Sequence, residues 1–173
     1  MVAPKALGKI SELKKSTTVQ DAIDPDKLYL KSKLYAQKVF ECQQASKSED
    51  AQLWAAVALE LLGKAALSAL HPSLVVDLKN GDKNPNILLE AAGISSKTNV
   101  KTIDASTTYA RLKHIIPFFS TSVHDFAIDL ANRRNTELHS GLSLMENRQD
   151  QEWSPRFWYA SDLILSALGK DLK

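Results

Sequence analysis

The chain has 173 residues, enough for one domain with a real hydrophobic core. Its 44% hydrophobic and 24% charged residues exclude a disordered chain, and its net charge of +2 is too mild to mark a nucleic-acid binder by bulk electrostatics. With one cysteine, Cys42, a disulfide framework and a cysteine-based zinc site within one chain are excluded as well.

Residues 1–24 read as a flexible basic arm. Its Lys5, Lys9, Lys14 and Lys15 either add sequence-independent RNA affinity or belong to a solvated tail. No apolar signal-peptide segment stands at the start, so a cytoplasmic protein is expected. Residues 25–173 form the expected helical domain. Asp24-Pro25 predicts a helix start, with Asp24 as N-cap and Pro25 in the first turn. Leu28, Leu30, Leu34, Tyr35, Val39 and Phe40 then recur at helical spacing to about residue 45. A polar break follows, in which Ser48 is the candidate cap of the next helix.

Residues 51–70 are the most apolar segment, apolar around nearly the whole circumference, as expected of a central helix. Glu60 and Lys64 interrupt this stretch, and both are costly at a bilayer centre, which argues against a membrane span. His71-Pro72 predicts its end. Asn80-Gly81-Asp82 predicts a turn, residues 86–92 a short helix closed by Gly93, and residues 94–106 a polar loop. A helix over residues 107–116 should stop at Pro117. A long helix over 118–139 follows, with Gly141 as the fitting C-cap residue. After a loop over 142–152, Ser154-Pro155 should open a last helix to about residue 168, closed by Gly169. No stretch shows convincing strand alternation; Leu74-Val75-Val76 is too short to count. The expected fold class is all-α, a bundle of about five main helices.

The chemistry-bearing residues lie at the end of the long helix. At about 100° per residue, Val123, Phe126, Ala127, Leu130, Ala131 and Leu138 share one side, the expected buried stripe. Arg134 falls at the centre of that stripe, between Leu130 and Leu138. A buried arginine must be paired or must face a second polar surface. Asn135 and His139 lie at i and i+4 on its flank and can face a common space. A guanidinium, an amide and an imidazole suit phosphodiester cleavage. Imidazole as a residue type can move a proton near neutral pH. The planar arginine fork matches phosphate oxygens and developing negative charge. The competing reading is that Arg134 merely pairs with Glu137, three residues on, in an unrelated helical interaction protein.

Residues 134–139 read R-N-x-x-x-H, with four residues between Arg134 and His139. On a late helix of an all-α domain, this motif resembles that of the HEPN superfamily, whose mark is an arginine, usually a polar residue, and a histidine after four to six intervening positions. The resemblance covers about residues 25–170: two long helices, a variable middle, the motif helix and a closing helix. It implies a HEPN-like fold and a metal-independent endoribonuclease acting without a cofactor, in a toxin or antiphage defence setting. It also implies a homodimer in which two motif helices build one composite site on RNA. His139 would then transfer protons, Arg134 hold the phosphate and Asn135 orient. A regulatory or antitoxin protein is a further partner the resemblance suggests; a non-catalytic module for a partner protein or nucleotide is the alternative within the family.

Glu60 is a candidate supporting residue, possible partner of Arg134, with Lys64 beside it; the plainer reading is a local ion pair. Arg133 reads either as a contact to RNA phosphate or as a solvated helix charge. His71, His114 and His124 do not combine into metal-ligand spacing, and no metal site is expected. Trp54, Trp153 and Trp158 read as core or interface anchors.

Overall fold

The computed structural model describes residues 21–78, 87–92, 100–145 and 148–171. It is an all-α helical bundle. Helix α1 spans Pro25–Gln44, α2 Ser48–Leu70, α3 Ile87–Ala91, α4 Ala105–Ile115, α5 Thr121–His139 and α6 Asp150–Ala167. Among the described residues there is no strand, only one isolated antiparallel bridge between Val76 and Thr102. The arm over residues 1–20 and the turn at residues 80–82 lie outside the described residues. The residues just before 25 are packed into the bundle: a 3-10 turn, Asp21–Ile23, buries Ile23 completely, and the hydroxyl of Ser68 donates to the Ile23 carbonyl. Residues 21–24 therefore belong to the domain rather than to the arm.

Helix α1 begins as its local chemistry predicts. Asp24 Oδ1 accepts from the Lys27 amide at 2.9 Å, and Pro25 occupies the first turn. Helix α2 is the hub. It packs against α1, α4, α5 and α6, and it buries residues all along its length, including Leu59 and Leu67. Each such leucine contributes about 2 kcal/mol through burial. This helix is long and apolar enough to cross a membrane, but 61% of that window is buried inside the bundle. At Gly63 the hub is pinched: a Cβ there would meet Leu112 and Thr108 side-chain atoms at 2.9 Å, so the glycine lets α4 lie close.

Several expected ends move. Ser48 does not cap α2; it is the first helical residue, and its hydroxyl donates to Asp150 Oδ1 at 2.6 Å instead. Helix α4 starts at Ala105, two residues early, because Asp104 Oδ1 accepts from the Thr107 amide at 2.7 Å. Helix α5 starts at Thr121, three residues late: Ser120 caps it and Phe118 adopts a left-handed φ of 65° outside it. Gly141 is not used as a left-handed stop, since Ser140 ends α5 in extended backbone. Helix α6 begins at Asp150 rather than at Pro155, which sits inside it. Its first turn is tied down by tertiary contacts: Trp153 is fully buried and Ser48 of α2 donates to Asp150. Gly169 does close α6, with φ of 65°, as Lys170 and Gly169 amides bond the Leu165 and Ser166 carbonyls.

Candidate functional site

Helix α5 buries Val123, Phe126, Ala127, Leu130 and Ala131 against the core. The stripe stops there. Leu138, expected on the buried side, is 57% exposed, because the last turn and a half of α5 runs beyond its packing partners. Arg134 lies at this transition, with its side chain 17% exposed.

Its partner is Glu60 of α2, not Glu137. Arg134 Nη1 donates to Glu60 Oε2 at 2.5 Å. Glu137 instead accepts from the Ser143 hydroxyl. The other Glu60 oxygen accepts from Lys64 Nζ at 2.7 Å, and Lys64 also donates to Thr102 Oγ1 at 3.2 Å. Glu60 and Lys64 are 13% and 8% exposed, so the three charges form one nearly buried cluster with a net charge of +1. Burial pushes the Glu60 carboxyl up, but the Lys64 ammonium and the Arg134 guanidinium outweigh it and hold it below its ordinary value.

Asn135 completes the setting. Its Oδ1 accepts from Arg134 Nε at 3.1 Å and Nη2 at 2.8 Å. Carboxylate and amide thus grip the guanidinium from two sides. Among the described residues, three of its five N–H groups are taken and one remains on each terminal nitrogen. The cluster borders a groove of about 480 Å³, also lined by Thr102, Asp104, Ser106 and Asn132. The Val76–Thr102 bridge and the bond from Ile103 N to Val75 O hold the 100–104 segment over α2, which brings Thr102 to Lys64.

His139 is the last residue of α5 and is exposed. It makes no hydrogen bond among the described residues and does not line the Arg134 groove. One chain thus assembles Arg134, Asn135, Glu60 and Lys64, and leaves His139 just outside them. Exposed leucines surround it in sequence: Leu138, Leu142 and Leu144.

Arg133 does other work. Its Nε bonds both oxygens of Asp129 at 3.0 and 3.1 Å, and its Nη1 donates to the Leu144 carbonyl at 2.7 Å. Arg148 shares Asp129 at 2.8 Å. This network clamps the chain after α5 back onto that helix. Beneath the cluster, Tyr109 is fully buried and its hydroxyl has no hydrogen-bond partner among the described residues. Burial pushes its phenol far up; the Glu60 charge adds to this and Arg134 opposes it. Trp153 is a core anchor, while Trp54 stacks on Tyr35 at 5.2 Å with Lys38 above it. Among the described residues no group of three His, Cys, Asp or Glu side chains is placed to hold a metal ion.

Sequence reasoning missed Thr102, Asp104, Ser106 and Asn132 as neighbours of Arg134. Asp104 carried a signal, an aspartate three residues before an amide it can cap. Thr102 carried none, since its contact depends on how a loop crosses α2. Comparison with family models, with curated proteins and with solved structures returned no match.

Proposed function

We propose that this protein is a metal-independent endoribonuclease of the HEPN type, working as a homodimer in the cytoplasm. The reading rests on the R-N-x-x-x-H motif and the helical architecture. The observation that carries it is the held guanidinium. Glu60 and Asn135 fix Arg134 at the edge of a polar groove with two N–H groups left to offer. That is how a phosphate is positioned and its developing charge stabilised.

In the proposed reaction a ribose 2′-oxygen loses its proton and attacks the adjacent phosphorus. The bond from phosphorus to the 5′-oxygen breaks, and that oxygen gains a proton. The products are a 2′,3′-cyclic phosphate and a 5′-hydroxyl. His139, with no competing hydrogen bond among the described residues, transfers one of these protons. Arg134 holds the phosphate, and Asn135 and Glu60 with Lys64 keep Arg134 in place. A second copy of the chain brings its own motif helix, so that His139 and Arg134 groups from two chains face one phosphate. The exposed Leu138, Leu142 and Leu144 beside His139 suit such a contact. Toxin or defence activity, with a protein regulator, is the setting this reading suggests.

One observation favours the second reading, a non-catalytic module: Arg134 is already paired inside the chain with Glu60. Cleavage of a mixed RNA pool in excess EDTA separates the two. Wild type and His139→Ala are compared at equal concentration and equal helicity by circular dichroism. Wild type is expected to cut, and the variant to be slower by at least about 100-fold. If both are inert or both cut equally, the nuclease reading fails and the binding module replaces it.

A further inference from the structure

On the side of α2 away from Glu60, α1 is bridged to α6 and the residues just after it near both of its ends. At one end Gln43 Nε2 donates to Ser154 Oγ at 2.9 Å. At the other, Lys170 lies 4.3 Å from the centre of the Tyr29 ring. Between these points the helices part and leave a groove of about 800 Å³, floored by Ala58 and Leu62 and walled by Phe40, Phe157 and Trp158. Phe40 is exposed in it. The groove follows residues 29–43 of α1, a length of about 21 Å at the helical rise.

The chain outside the structure joins the described residues at Asp21, eight positions before Tyr29, where α1 begins to line this groove. Residue 20 leads directly into the Asp21–Ile23 turn, and α1 then runs from Pro25 past Tyr29. Within the preceding 20 residues, Ala3, Ala6, Leu7, Ile10 and Leu13 recur at helical spacing. On a helical wheel they fall within an arc of about 120°, with Lys5, Gly8 and Glu12 opposite. A helix over residues 3–13 would be roughly 16 Å long and fits inside the groove. Residues 14–20 span up to about 23 Å when extended, enough to turn the segment back over α1. So short a helix, with Gly8 at its middle, is marginal in water and needs a surface to pack on.

We propose that residues 3–13 form an amphipathic helix that docks in the α1–α6 groove of the same chain, covering Phe40 and Trp158 with Ala6, Leu7, Ile10 and Leu13. The amino-terminal segment then packs as a further helix on the bundle, and its lysines face solvent.

The test uses the full chain and the double variant Leu7→Asp/Ile10→Asp, both checked for helicity and size. The readouts are binding of the apolar dye ANS and the NMR signals of residues 33–40 and of the Trp158 indole. The variant is expected to bind several-fold more dye and to shift those signals, with its size unchanged. Equal dye binding and unmoved signals overturn the proposal. So does a wild-type groove that becomes covered only as protein concentration and particle size rise together, which would assign the groove to a second copy.

Discussion

Helix α2 presents two faces that behave differently. Glu60 and Lys64 point to the motif helix, and Ala58 and Leu62 floor the groove between α1 and α6. Residues two apart on a helix differ by about 200°, so these i, i+4 pairs lie on opposite sides of one cylinder. On the first side, three charges are packed against one another with little water. On the second, an apolar surface lies open between two helices bridged near their ends. A nearly buried charge cluster survives only if every member is paired, so that face is rigid and intolerant. An open apolar wall has no such demand, so that face can receive another element.

The largest expected effect breaks the polar side. Glu60→Ala leaves Lys64 and Arg134 together without their shared carboxylate. The loss should be about 3–5 kcal/mol, since a buried charge is left uncompensated. A thermal melt should show a drop on the order of 10 °C. A change below about 1 kcal/mol would mean that water screens the cluster and that the two faces do not differ as described.

Acid should produce a partial form of the same loss. The Glu60 carboxyl is held below its ordinary value of 4.5 in the folded protein. Its contribution is therefore fully present above about that pH and is lost as pH falls through the lower, folded value. Chemical denaturation as a function of pH should show stability falling below about pH 4.5, with a shallower slope in Glu60→Gln. Equal slopes in the two proteins would remove Glu60 from the account.

The smallest effect sharpens the other side. The buried Ser32 hydroxyl donates to the Ala58 carbonyl at 2.9 Å, a lone polar seam between α1 and α2 beside the groove. That carbonyl lies within α2 and keeps its helical environment without Ser32. Ser32→Ala should then cost only about 1 kcal/mol by denaturant titration. A loss as large as that of Glu60→Ala would erase the contrast between the faces.

Much of the helical frame was legible because its signals are local. Asp24 before Pro25, His71 before Pro72 and Gly169 after α6 each act on amides within a turn of themselves. The same logic overreached at Ser154-Pro155 and at Gly141. At the first, a buried tryptophan and a bond from Ser48 started the helix earlier than the proline suggested. At the second, the helix ended without needing a left-handed residue.

The sequence by itself determined the all-α class, the most apolar helix as the hub, and the placing of Arg134, Asn135 and His139 along one helix. It also showed that Arg134 needed a partner. Only the tertiary structure decided that the partner is Glu60, 74 residues away, rather than the nearby Glu137. It alone brought Thr102 to Lys64, opened the groove between α1 and α6, and left His139 beyond the Arg134 groove. The physical reason is the range of the forces that matter. Periodicity and capping act within a few residues, whereas which charge meets which depends on the faces that core packing turns toward each other.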